Sequence, residues 1–131
     1  LGAVEMSVYE VYQVYAQFIR EQCQLYKTDL ENSILYLMAD PKRTTVRKSV
    51  GKFMKEMVFF GKTGTSNNGL DNWYTFYDGK ILGVIWVGLE RDRSGESYQL
   101  YGGSTSFRIF QSFARDRGKR FNELTCDFIN K

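Results

Sequence analysis

The chain reads as an α+β domain, an antiparallel sheet of three strands packed against an N-terminal and a C-terminal helix. Three observations predict this. An amphipathic run with helical spacing opens the chain, aromatic and β-branched segments split by Asp78-Gly79 occupy its middle, and a helical run of phenylalanines follows. Strands that are grouped and joined by a hairpin favour antiparallel layering over βαβ winding.

Taken in order, Ser7 with Glu10 forms a capping box, in which each side chain satisfies an orphan N–H of the first turn. Val8, Val11, Tyr12, Tyr15, Phe18 and Ile19 then recur at helical spacing, and the pattern fades near Cys23. Ile34 to Met38 predicts a second helix after Thr28 and Asp29. Asp40-Pro41 is an N-cap and N1 pair that predicts a further helical segment reaching Phe53. Met57 to Phe60, ending at Gly61, predicts a buried strand. Trp73 to Tyr77 and Ile81 to Leu89 predict two more, joined at Asp78-Gly79 by a two-residue type I′ turn, whose central residues both need positive φ. Asp92 to Glu96 is a polar turn. The last helix is expected from Ser104, with Phe107, Phe110, Phe113 and Ala114 on one face and Gly118 as C-cap. The chain thus divides into a mainly helical part (1–56), the strands (57–90), a C-terminal helix (104–118) and a tail (119–131).

Composition excludes several classes of function. At 131 residues and 43% apolar, the chain has one domain's length and enough apolar side chains to fold. Aromatic residues make up 16% and need an interior or an interface. There is no His, which excludes a His-centred catalytic triad and a His-bearing zinc site, and no cofactor is expected. A net charge of +3 is too small for a dedicated nucleic-acid binder. No apolar run approaches a membrane span. Cys23 and Cys126 are either two buried thiols or one disulfide. The chain begins at Leu1 with neither an initiator Met nor a signal peptide, so it is expected to be an excised piece of a longer protein.

Two motifs meet at Gly61-Lys62-Thr63. A phosphate-binding loop would need its first glycine at position 56, which is Glu56, and a helix directly after; Gly64-Thr65-Ser66-Asn67-Asn68-Gly69 is a poor helix start. Lys62-Thr63-Gly64 also matches the K-T-G element of serine β-lactamases and penicillin-binding proteins. It follows a predicted strand and extends to Thr65. After it come Asp71-Asn72-Trp73, a hairpin with Trp86-Val87-Gly88, and Leu100-Tyr101-Gly102-Gly103 before an aromatic helix. This succession resembles the C-terminal part of the transpeptidase domain of class A penicillin-binding proteins, most closely the 1B type. Leu1-Gly2 and Glu5 to Val14 are similar to that family's helix upstream of the motif.

The resemblance implies a partial penicillin-binding, β-lactamase-like transpeptidase fold and a D,D-transpeptidase that cross-links peptidoglycan stem peptides by serine acyl transfer. It implies that Lys62 and Thr63 hold the substrate carboxylate, that Gly64 lets an extended peptide approach, and that the Thr65 amide is half of the oxyanion hole. Lys62 is thereby both a substrate-binding and a catalytic candidate. The chemistry fits these residue types: a carboxylate needs a fixed cation and a hydroxyl donor, an exposed strand edge can pair with a peptide, and glycine leaves that edge clear. The implied partners are the stem peptide and, in the full-length enzyme, β-lactams that acylate the same serine. The implied location is the periplasmic face of the inner membrane, with the anchor outside this chain.

The family's S-x-x-K and S-x-N boxes, which carry the nucleophile and base, belong upstream of K-T-G. Ser49-Val50-Gly51-Lys52 has the first spacing but stands too close to Lys62, and Ser66-Asn67-Asn68 follows the motif; both are read as coincidental. Phe76 stands where the family often has glycine. This chain alone is therefore expected to be inactive. The stretch from Lys42 to Lys55 holds six basic residues and no acid (Lys42, Arg43, Arg47, Lys48, Lys52, Lys55) and is read as a solvated helix face rather than a polyanion site, since no aromatic platform is interleaved. The competing reading is a non-catalytic α+β interaction module with a coincidental K-T-G-T. An exposed apolar stripe would in either case favour a homo-oligomer.

Overall fold

Ser7 caps the first helix as predicted: its Oγ accepts the Glu10 N–H at 3.1 Å while the Glu10 carboxylate accepts the Ser7 N–H at 3.1 Å. The structure is a computed structural model, and it describes residues 6–39, 54, 57–65, 71–88, 105–117 and 121–127. Helix α1 spans Val8–Leu25 and buries Val11, Ile19 and Cys23. A 3-10 turn at Leu30–Asn32 leads into the single-turn α2, Ile34–Leu37, whose Leu35 is buried. The predicted segment from Asp40, the six basic residues from Lys42 to Lys55, the Ser49 and Ser66 motifs, the 92–96 turn, the Tyr101 segment and Gly118 lie outside the described residues.

Three antiparallel strands, β1 (Phe60–Thr65), β2 (Asp71–Tyr77) and β3 (Leu82–Gly88), form a sheet in the order β1-β2-β3. The α+β class and the three-stranded antiparallel sheet therefore hold. Two details differ. Met57–Phe59 precede the first strand, and K-T-G-T lies within it rather than after it. Two glycines and a lysine carry no strand signal of their own; the ladder to β2, from Phe60↔Tyr77 to Thr65↔Asn72, imposes the extended form.

The hairpin is also shifted by one residue. Asp78 N–H donates to Ile81 O at 3.3 Å, which makes Gly79-Lys80 the central pair. Only Gly79 has positive φ, at 102°, the pattern of a turn with glycine at its first central position rather than type I′. Asp78 prefers the first corner because its Oδ1 can accept the N–H groups of Lys80 at 2.8 Å and Ile81 at 2.9 Å. Its carbonyl is free to accept Thr125 N–H at 3.2 Å.

Side chains alternate across the sheet, so each face has its own core. On one, Phe60, Tyr77 and Leu82 pack with Ile19 and Cys23 of α1, Leu35 and Leu124. On the other, Tyr74 and Phe76 pack with Phe107, Phe110 and Ala114 of α3, Ser106–Arg117, together with Phe59 and Phe121. Residues 121–127, whose sequence has no periodicity, lace the two cores: Phe121 O accepts Val58 N–H at 2.7 Å, and Leu124 O accepts the Tyr36 hydroxyl at 3.2 Å. Cys23 and Cys126 form a disulfide, with Cα atoms 6.0 Å apart, which resolves the two alternatives left by the sequence.

Candidate functional site

Lys62, Thr63, Gly64 and Thr65 occupy the C-terminal two-thirds of β1, and β1 pairs on one side only among the described residues. Lys62 and Thr65 are exposed; Thr63 and Gly64 are half-buried. The strand thus brings all four sequence-predicted residues together at a sheet edge, with Lys62 and Gly64 on the α1 face and Thr63 and Thr65 on the α3 face. The Lys62 ammonium donates to the carbonyl of Thr63 at 2.6 Å.

The two glycines of β1 differ in purpose. At Gly61 an added Cβ would run into the Tyr74 hydroxyl and meet its Cζ at 2.9 Å, so glycine there lets a buried ring cross the strand. At Gly64 the nearest atoms to an added Cβ would all belong to Trp73, from Cβ at 3.6 Å to Cγ at 4.0 Å, which are ordinary contacts. Internal packing among the described residues explains Gly61 and does not require Gly64.

What lies behind the strand is buried. Thr75, the register partner of Lys62, is buried and hydrogen-bonds the Tyr15 hydroxyl of α1; burial raises the Tyr15 phenol pKa and that bond partly offsets it. Tyr74, the partner of Thr63, is buried against Phe107 at 5.0 Å and Phe110 at 5.2 Å, and burial pushes its phenol pKa up strongly. Both hydroxyls stay protonated at neutral pH and serve as packing, not as bases.

At the Thr65 end the sheet is tied by polar groups that the sequence analysis quoted within motifs but to which it assigned no contacts. Asp71 Oδ1 accepts Trp86 Nε1–H at 2.9 Å, and the Trp73 and Trp86 rings lie 6.2 Å apart. Asn72 Oδ1 accepts both the backbone N–H and the hydroxyl of Ser106. Asn72 Nδ2 is buried with no hydrogen-bond acceptor among the described residues. No group of metal-ligating side chains occurs, and no helix is long and apolar enough to cross a membrane, among the described residues.

Lys62–Thr65 thus lie on a strand that is paired on one side only among the described residues and that carries a cation and two hydroxyls. The chain is 31% identical over 81 residues, 62% of its length, to penicillin-binding protein 1B of Buchnera aphidicola subsp. Baizongia pistaciae. It is 26% identical over 115 residues, 88% of its length, to penicillin-binding protein 1B of Buchnera aphidicola subsp. Acyrthosiphon pisum, and 32% identical over 79 residues, 60% of its length, to that of Escherichia coli. These matches span only 10%, 15% and 9% of the relatives' lengths. No family model and no solved structure matches the chain. The chain is thus distantly similar, over most of its length, to a small part of penicillin-binding proteins 1B.

Proposed function

We propose that this chain is part of a peptidoglycan D,D-transpeptidase and supplies its substrate-binding strand. The observation that carries the reading is that Lys62–Thr65 lie on a strand paired on one side only among the described residues, with Lys62 exposed and a glycine at 64 that packing among those residues does not demand. In the proposed reaction a stem peptide lies along β1, its terminal carboxylate held by Lys62 and Thr63. A serine supplied from outside these residues attacks the penultimate D-Ala carbonyl. The Thr65 amide donates to the oxyanion, the bond to the terminal D-Ala breaks, and an acceptor amine then takes the acyl group from the serine. β-Lactams would acylate the same serine. The Cys23–Cys126 disulfide accords with an oxidising compartment, as the periplasmic face of the inner membrane would provide.

Fluorescent penicillin tests this. The full-length protein carrying the chain should form a stable adduct, and the 131-residue chain alone should not. In the full-length protein Lys62→Ala should lower acylation efficiency about 10- to 100-fold, the value of one hydrogen bond to a charged group. Stable labelling of the chain alone, or an unchanged rate in the Lys62 variant, would overturn the reading.

A further inference from the structure

Asp71 and Asn72 are consecutive at the start of β2, so their side chains leave on opposite faces of the sheet. Asp71 reaches Trp86 of β3 on one face. Asn72 reaches α3 on the other, its Oδ1 accepting the Ser106 N–H at 2.9 Å and the Ser106 hydroxyl at 2.6 Å. Ser106 is the first residue of α3, and its N–H is one of those a helix leaves without an internal partner. Both residues have 0% exposure. Asn72 therefore caps a helix that lies 34 residues further along the chain.

The same residue closes the β1–β2 ladder, because Asn72 is the register partner of Thr65. α3 also meets the sheet through rings, at Tyr74 and Phe76, and apolar contacts allow small sliding. Two hydrogen bonds converging on one carbonyl oxygen fix distance and direction.

We infer that Asn72 is a positioning residue that sets the placement of the Thr65 backbone by anchoring α3 to the end of the ladder. The inference rests on the proposed role of Thr65 as an oxyanion donor. Such a donor must be held closely, since displacement by about 1 Å can cost on the order of 100-fold in rate.

The test uses the full-length protein and fluorescent penicillin at graded concentrations, which separates the binding constant from the acylation rate constant. Asn72→Ala should lower the rate constant about 10-fold, within the range for a misplaced group, while penicillin affinity stays near that of the parent. Ser106→Ala, which removes only the hydroxyl, should give a smaller loss in the same direction and add nothing in the Asn72→Ala background. An unchanged rate constant in Asn72→Ala, a loss seen only in the amount of folded protein, or additive effects of the two substitutions would overturn the inference and leave the proposed function standing. If Asn72→Ala does not fold, an unchanged rate constant in Ser106→Ala overturns it. Failure of the parent protein to take any label would remove the proposed function and the inference with it.

Discussion

Phe110 has no exposed surface and, among the described residues, five aromatic neighbours: Phe59, Tyr74, Phe76, Phe107 and Phe121, at ring separations from 4.6 to 6.0 Å. Such contacts hold through dispersion and ring-edge geometry, and the neighbours cannot all collapse into the space one ring leaves. Phe110→Ala should cost about 3–5 kcal/mol, read as a shift in urea unfolding midpoint, with a smaller loss for the partly buried Phe113. Phe107, Phe110 and Ala114 were legible because they recur at helical spacing. Phe121 was not, because a phenylalanine isolated among polar neighbours has no period to betray it. Lys62 to Thr65 were legible only as a motif, for their strand form comes from pairing with β2. Asn72 gave no local signal, since its partner is brought to it by the fold.

At the scale of the element, α1 shows how a local signal becomes a pH response. Its entry depends on two reciprocal bonds between Ser7 and Glu10. The Ser7 backbone N–H, with a lesser contribution from the Ser7 side chain, holds the Glu10 carboxyl below its ordinary value of 4.5. A carboxylate lowered in the folded state contributes stability above its unfolded pKa and loses it as pH falls through the folded one. Glu10→Gln should therefore be less stable than the parent at about pH 7, and the difference should have narrowed by about pH 3, below the ordinary carboxyl range. Paired thermal melts at the two pH values check this; a constant difference would contradict it. The hairpin is the contrasting case. Its position could be read from Asp78-Gly79, but its centre could not, because the Asp78 side chain competes for the turn's N–H groups and its carbonyl is claimed by Thr125.

For the whole molecule the decisive constraint is the disulfide, which joins residues separated by 103 positions. Closing a loop of that length restricts the unfolded chain by roughly 4–5 kcal/mol in the chain-entropy account, and measured losses on removal run about 2–5 kcal/mol. Cys126→Ala, or reduction of the parent, should lower denaturant stability within that range; an unchanged midpoint would show that the bond constrains nothing. Sequence alone left the pairing open because it depends on where the segment after α3 runs, and that path is set by Phe121 and Leu124 finding the two cores.

Cys23 and Cys126 also bracket every residue of the sheet. A second covalent route therefore runs beside the backbone, and the enclosed stretch is a ring rather than a line. A protease cut anywhere inside that ring leaves two peptides on one body, where the strands meet at the effective concentration of a tethered pair instead of drifting apart. The integrity of the sheet thus follows the redox state of its surroundings more closely than the continuity of its main chain.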